Sequence, residues 1–181
     1  MNVADKILPV KMTRPNLENV PEFTLPPGFA LRWFQPGDEA HWLRIHLAAD
    51  RFNKITPELF QRQFGSDEKL LSERQYFLIN PIAEVIGTGT AWFNGHFEGG
   101  RWGRVHWMAV VPAFQRRGLG KALLSAICGR LRELGHQRAY LTTSTARLPA
   151  IRLYLQFGFE PWIQTAEDDR LWRELIPLAK R

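Results

Sequence analysis

The sequence predicts an α/β (α+β) domain, and three observations support that reading. The stretch 105–111 is rich in β-branched and aromatic residues and stops at Pro112, which has no N–H to give a ladder. At Leu119 the apolar period changes: Leu119, Leu123, Ala126, Ile127, Leu131 and Leu134 fall at three- and four-residue steps, a helical face closed by Gly135. Residues 75–80 and 84–93 read as a hairpin around Pro81, with Gly87 and Gly89 in its second strand.

The other elements follow in chain order. Residues 1–28 hold Pro9, Pro15, Pro21, Pro26 and Pro27, too many for a helix and with too little apolar alternation for a paired strand, so they read as an extended arm ahead of a domain over 29–181. A strand is expected at 30–34, then the turn 35–38 and a helix over 39–49 with Asp38 as its cap. Thr56-Pro57-Glu58 marks a second helix start, with Thr56 as cap and Pro57 in the first helical position. A glycine-rich loop spans 95–103. After the helix at 119 come a strand at 138–143, a helix over 149–157 and a last strand near 171–178.

Composition narrows the function classes. At 181 residues the chain makes one domain large enough to bury a core without disulfides, and its single cysteine, Cys128, reads as a packed helix residue in a reducing compartment. There is no apolar run of membrane-spanning length and no signal-peptide core, so the expectation is a cytoplasmic protein without a membrane partner. Lys and Arg outnumber Asp and Glu by 24 to 18, but the charges are dispersed and no nucleic-acid-binding motif accompanies them, so nucleic acid is not the expected partner. The histidines and acids show no metal-ligand spacing.

The turn between the strand at 105–111 and the helix at 119 carries the chemistry. A helix start leaves its first N–H groups without internal partners and adds roughly half a positive charge there. Gly118 and Gly120 allow a ligand close to the main chain, and Arg116, Arg117 and Lys121 set full charges beside it. A pyrophosphate suits such a turn; the alternative is a polar turn with solvated charges.

The residues Gln115-Arg116-Arg117-Gly118-Leu119-Gly120 resemble the Gln/Arg-x-x-Gly-x-Gly/Ala signature of the GCN5-related N-acetyltransferases, the GNAT family. The preceding Val110-Val111-Pro112 and the later Ala150 to Phe159, with Tyr154 and Gly158-Phe159, are similar to two further family patterns. The resemblance spans about 105–159. It implies a mixed, mostly antiparallel central sheet with helices on both faces, acetyl-CoA as co-substrate, and direct attack by an acceptor amine in a ternary complex.

The implied roles fall on positions that match. Met108, Ala109 and Val110 would pair through their backbone with the pantetheine arm, and the Val110 N–H would polarise the thioester carbonyl. Gln115, Arg116, Arg117, Gly118, Leu119, Gly120, Lys121 and Ala122 would hold the pyrophosphate. Tyr154 aligns with the family's proton donor to the departing thiolate, or is a core tyrosine on its helix face. Arg147 stands where the family often has a cofactor-contacting Asn, so that contact is lost or becomes a charged one. Arg104 stands where several relatives place a glutamate base, and His106, two residues on along the same strand face, is the substitute base or a structural histidine.

Acceptor selection points to Trp33, His41, Trp42, His46, Arg51, Phe52, Trp92, Phe93 and Trp102, around the early helices and loops. The acceptor is expected to be an amine of a small molecule, amino acid or peptide, and Arg104 and Arg147 would favour one bearing a carboxylate or phosphate. Another acyl donor, a hydroxyl acceptor and a non-catalytic acyl-CoA sensor remain as alternatives. Homodimers are common in the family.

Overall fold

The computed structural model describes residues 3–180 and contains a seven-stranded sheet with helices on both sides. Its strands are β1 (Pro9–Arg14), β2 (Ala30–Trp33), β3 (Gln75–Ile79), β4 (Val85–Phe93), β5 (Trp102–Val110), β6 (Arg138–Ser144) and β7 (Glu160–Pro161), in the spatial order β2-β3-β4-β5-β6-β1-β7. All neighbours are antiparallel except β5 and β6. The helices are α1 (Asp38–Ala49), α2 (Leu59–Phe64), α3 (Glu68–Ser72), α4 (Leu119–Glu133), α5 (Leu148–Gln156) and α6 (Ala166–Lys180). Among the described residues no helix is long and apolar enough to cross a membrane.

The hairpin, the 105–111 strand and the helix after it form where the sequence predicts them. Leu119, Leu123, Ile127 and Leu131 line the buried stripe of α4, and Gly89 lets that helix lie close, since a Cβ there would stand 2.6 Å from Ile127 Cδ1. Cys128 is fully buried in the same helix, and burial pushes its thiol up to about 12.

Two expectations fail together. The segment 1–28, of which residues 1 and 2 lie outside the described residues, is not an unpaired arm: Pro9 to Arg14 pairs residue by residue with β6 and borders β7 on its other side. Val10 and Met12 turn into the core, Lys11 turns out, and Pro9 opens the strand, where a missing N–H is tolerated. The last strand expected near 171–178 is instead α6, which buries Trp172, Leu175 and Ala179 at helical steps. Thr165 and Asp168 cap it reciprocally: the Asp168 amide donates to Thr165 Oγ1 at 3.1 Å and the Thr165 amide to Asp168 Oδ2 at 2.9 Å.

Smaller corrections concern helix starts. Asp38 does not cap α1, whose N-cap is Gly37 without a side-chain bond; it is buried, accepting from the Gln35 amide at 2.7 Å and from Arg32 Nη2 at 2.6 Å. Thr56 is not the cap of α2, because the Thr56-Pro57-Glu58 stretch makes a preliminary turn and the helix begins at Leu59.

Candidate active site

β5 and β6 separate after three partners. Trp102↔Arg138, Gly103↔Ala139 and Arg104↔Tyr140 pair, and beyond Arg104 the strands share no register. Met108 and Ala109 therefore lie half-buried on a β5 edge with no ladder toward β6, which suits an added extended ligand.

A bulge reshapes that edge. Between Thr88↔Ala109 and Thr90↔His106 the register with β4 slips, and Trp107 takes a left-handed backbone with φ 46°. His106 and Trp107 consequently both meet the α1–α2 side: the His106 ring lies 5.3 Å from Phe64, and the Trp107 ring lies 5.2 Å from Trp42 and 5.0 Å from His46. Trp107 Nε1 is fixed by donating to Gln63 Oε1 at 2.9 Å.

At the far end of β5 the chain makes the predicted turn. Gln115 Nε2 donates to the Val110 carbonyl at 2.8 Å, which ties the turn to the strand. Arg116 (φ 61°) and Gly118 (φ 81°) both take left-handed backbone, a conformation that turns successive amides toward one side. The Lys121 amide (3.0 Å) and the Ala122 amide (3.2 Å) both donate to the Gly118 carbonyl, so helical bonding begins only there. A left-handed turn followed by a free helix start is the kind of backbone that receives anions. The long cations lie over aromatic faces: Arg117 over Phe114 at 5.0 Å and Lys121 over Phe23 at 5.0 Å. Leu119 and Ala122 are buried, so any ligand contact of theirs is through backbone.

Residues 38–159 match the Acetyltransferase (GNAT) family. The chain belongs to the GNAT acetyltransferases. It is 31% identical over 160 residues to a mycothiol acetyltransferase from Thermobispora bispora, covering 84% of this chain and 53% of that protein. A mycothiol acetyltransferase from Pseudarthrobacter chlorophenolicus is 33% identical over 149 residues, covering 80% and 46%. The chain thus spans about half the length of these curated relatives. Among solved structures, a GCN5-related N-acetyltransferase from Sphaerobacter thermophilus superposes with a TM-score of 0.70 at 22% identity, covering 85% of this chain and 48% of that one. The ribosomal-protein-S18-alanine N-acetyltransferase from Escherichia coli gives 0.60 at 20% identity, covering 75% and 79%. These two similarities concern the GNAT fold.

Tyr154 and Arg147 lie on and just before α5. Tyr154, on α5, is nearly buried, and burial raises its phenol to about 12. Arg147, just before α5, places Nη2 2.7 Å from both carboxylate oxygens of Asp50, with its guanidinium 5.2 Å from the centre of the Phe52 ring. Asp50 follows α1 directly, so this ion pair joins the end of α1 to the start of α5. Burial pushes Asp50 up, but the amides of Phe52 and Asn53, the Asn53 side chain and Arg147 outweigh it and hold the carboxyl low.

Of the nine residues suspected of shaping the acceptor cleft, Trp42, His46 and Phe52 gather around Trp107 and Arg147, with Arg51 beside Phe52. Trp33 stacks on Tyr76 at 4.1 Å on the edge strand β2, and Trp102 packs on Phe97 in a separate cluster. Phe93 stacks on Trp92 under Arg74, and Trp92 contacts Phe64; His41 is half-buried on α1. Asp50 and Trp107 are additions from the structure. Gly89, at the slip in the β4 register, is the one sequence trace of the bulge.

Proposed function

We propose that the protein is an acetyl-CoA-dependent N-acetyltransferase acting on a primary amine of a small molecule, amino acid or peptide. The observation that carries this reading is the joined pair of backbone features: an unpaired β5 edge at Met108–Val110 leading into a left-handed turn whose amides precede the first helical bonds of α4. Acetyl-CoA, when bound, supplies an activated thioester.

The chain's own residues do the rest. The edge orients an extended arm through main-chain bonds, and the Val110 N–H polarises a carbonyl oxygen placed beside it. The turn at 115–122 neutralises a pyrophosphate, with Arg116, Arg117 and Lys121 adding charge. Arg147 is a further cation on the opposite wall. Tyr154 is the proton donor to the departing thiolate; burial raises its phenol to about 12, so it gives up its proton only to a thiolate formed against it. The base comes from the histidines around Trp107, of which His106 is the one on the β5 position picked out by the family pattern. The names of the curated relatives make mycothiol acetylation one of the first reactions to assay.

Calorimetric titration with acetyl-CoA tests the reading, with Arg117→Glu, Lys121→Glu as the control. Micromolar binding lost in the double variant is expected, followed by thiol release in an amine screen. A folded wild type that binds nothing overturns it.

A further inference from the structure

A second concave site lies outside the β5–β6 opening. Its volume is about 240 Å³, below the roughly 300–1,000 Å³ of a drug-sized pocket, and it sits where β4 and α4 end and β5 begins. Arg74, Asn94, Arg101, Trp102 and His136 supply its polar lining, and Phe93 and Leu134 its apolar lining. The turn at 115–122 lies at the opposite end of both β5 and α4, about 25 Å away along a strand of nine residues.

The polar side chains around this cavity offer donors with few acceptors to meet them. Arg74 Nη1 donates to the Ala91 carbonyl at 3.1 Å, and Arg74 Nε is buried without a partner. Asn94 Oδ1 accepts from the His96 amide at 2.9 Å, which leaves the Asn94 side-chain nitrogen to donate. His136 Nδ1 lies 3.4 Å from the Arg101 carbonyl, while His136 Nε2 and Trp102 Nε1 are buried without partners. Arg101 is exposed on left-handed backbone, φ 63°, and among the described residues no acid pairs with it.

Charge points the same way. Among the described residues no carboxylate lines the cavity. Its cations are held by aromatic faces instead of acids: the Arg74 guanidinium lies 4.7 Å from the centre of the Phe93 ring, and that of neighbouring Arg138 lies 4.7 Å from Trp102. Burial and Arg130 push Arg74 down, and Glu73, outside the cavity, works against them. Burial lowers His136, the bond with the Arg101 backbone opposes that, and Arg74 lowers it further. Glu133 is taken by Arg130 at 3.0 Å. Unpaired buried donors and uncompensated cations are both unfavourable, and acceptor oxygens carrying negative charge relieve both.

We propose that this cavity binds a small anion, a carboxylate or a phosphate, at a site separate from the one read as the acetyl-transfer site and independent of that reading. Arg74 and Arg101 supply the charge, and Asn94 and His136 add hydrogen bonds of fixed direction. Phe93 and Leu134 offer an apolar side to the body of an organic anion. A bound anion also offsets the repulsion between Arg74 and His136.

NMR titration of the full chain with inorganic phosphate and with benzoate, each at constant ionic strength against chloride, tests this without any turnover. Saturable shifts of the Trp102 indole and the His136 ring, in the millimolar range, are expected with at least one of the two anions and not with chloride. Tighter binding of phosphate assigns the site to phosphoryl groups, and tighter binding of benzoate assigns it to carboxylates. Arg101→Gln should weaken that binding by about tenfold, the loss of one charge-assisted contact, and should keep the fold because the side chain is exposed. Arg74→Met should weaken it at least as much. The Arg117→Glu, Lys121→Glu variant, which strips the cations from the turn, should leave the response at Trp102 and His136 unchanged. The absence of a saturable shift with either anion overturns the proposal. So does a response that chloride reproduces, one that both Arg101→Gln and Arg74→Met leave intact, or one that vanishes in the turn variant.

Discussion

The two walls of the opening are made of different material. On the wall proposed for the cofactor, β5 and the turn to α4 offer backbone: an edge without a ladder, two left-handed residues and a helix start. On the wall proposed for the acceptor, α1, the Asp50–Arg147 pair and the aromatic cluster around Trp107 offer side chains drawn from distant parts of the chain. A backbone site tolerates many side chains and asks for a few glycines, so it accepts a constant ligand. A side-chain site changes with every substitution, which suits a variable one.

Experiments that sharpen this contrast can be ranked by size. The largest effect lies on the acceptor wall and is one of stability. His46 sits at about 4 in the fold against an ordinary 6.5, so the fold holds it neutral, and its contribution is complete above pH 6.5 and is lost as pH falls toward 4. Its share between pH 7 and pH 4 is about 3 kcal/mol, measured as the difference in urea unfolding between wild type and His46→Gln at the two pH values. Equal pH dependence in both proteins would remove the buried-neutral assignment.

Charge reversal on the cofactor wall comes next. Arg117→Glu with Lys121→Glu should weaken coenzyme A by more than about 100-fold by calorimetry, with stability nearly kept because both side chains are exposed or half-buried. Asp50→Asn on the other wall should change that affinity by less than about threefold. Comparable losses from both would break the division of labour proposed for the two walls.

Tyr154→Phe tests where the walls meet. Turnover should fall by more than about tenfold while coenzyme A affinity is kept, as steady-state and binding measurements would show side by side. The smallest effect is Gly118→Ala, which puts a Cβ into left-handed backbone and should lower stability by about 1 kcal/mol in denaturant unfolding. Open space around that Cβ makes backbone strain the whole of the effect.

Legibility followed the same division. The turn at 115–122 was readable because what it needs, glycines after a strand and before an amphipathic helix, is local. Gly118 proves to be left-handed, while a Cβ on Gly120 would meet only Leu153 at an ordinary 3.6 Å. The hairpin and β6 were readable from β-branched and aromatic runs bounded by turns. The Asp50–Arg147 pair joins residues 97 apart, and nothing near either one announces the other. At the chain's ends the local signal existed and was misread. The proline at each flank of 9–15 concealed the Val10 and Met12 alternation, and the family pattern of a last strand displaced the Trp172, Leu175, Ala179 helical spacing. Trp107 is a different case, since a left-handed tryptophan is imposed by the surrounding sheet and aromatic cluster against its own preference.

The position of β1 has a consequence for how the molecule assembles. Val10 pairs with Thr143 and Arg14 with Ala139, so β1 leaves the ribosome some 130 residues ahead of its partner and waits until that partner is made. Closing so long a loop carries an entropic penalty that more local pairings such as β3 with β4 escape. The hairpin half of the sheet can therefore form early, while Val10 and Met12 stay exposed until synthesis is well advanced. In that interval the nascent chain offers an unpaired apolar strand to chaperones or to other chains.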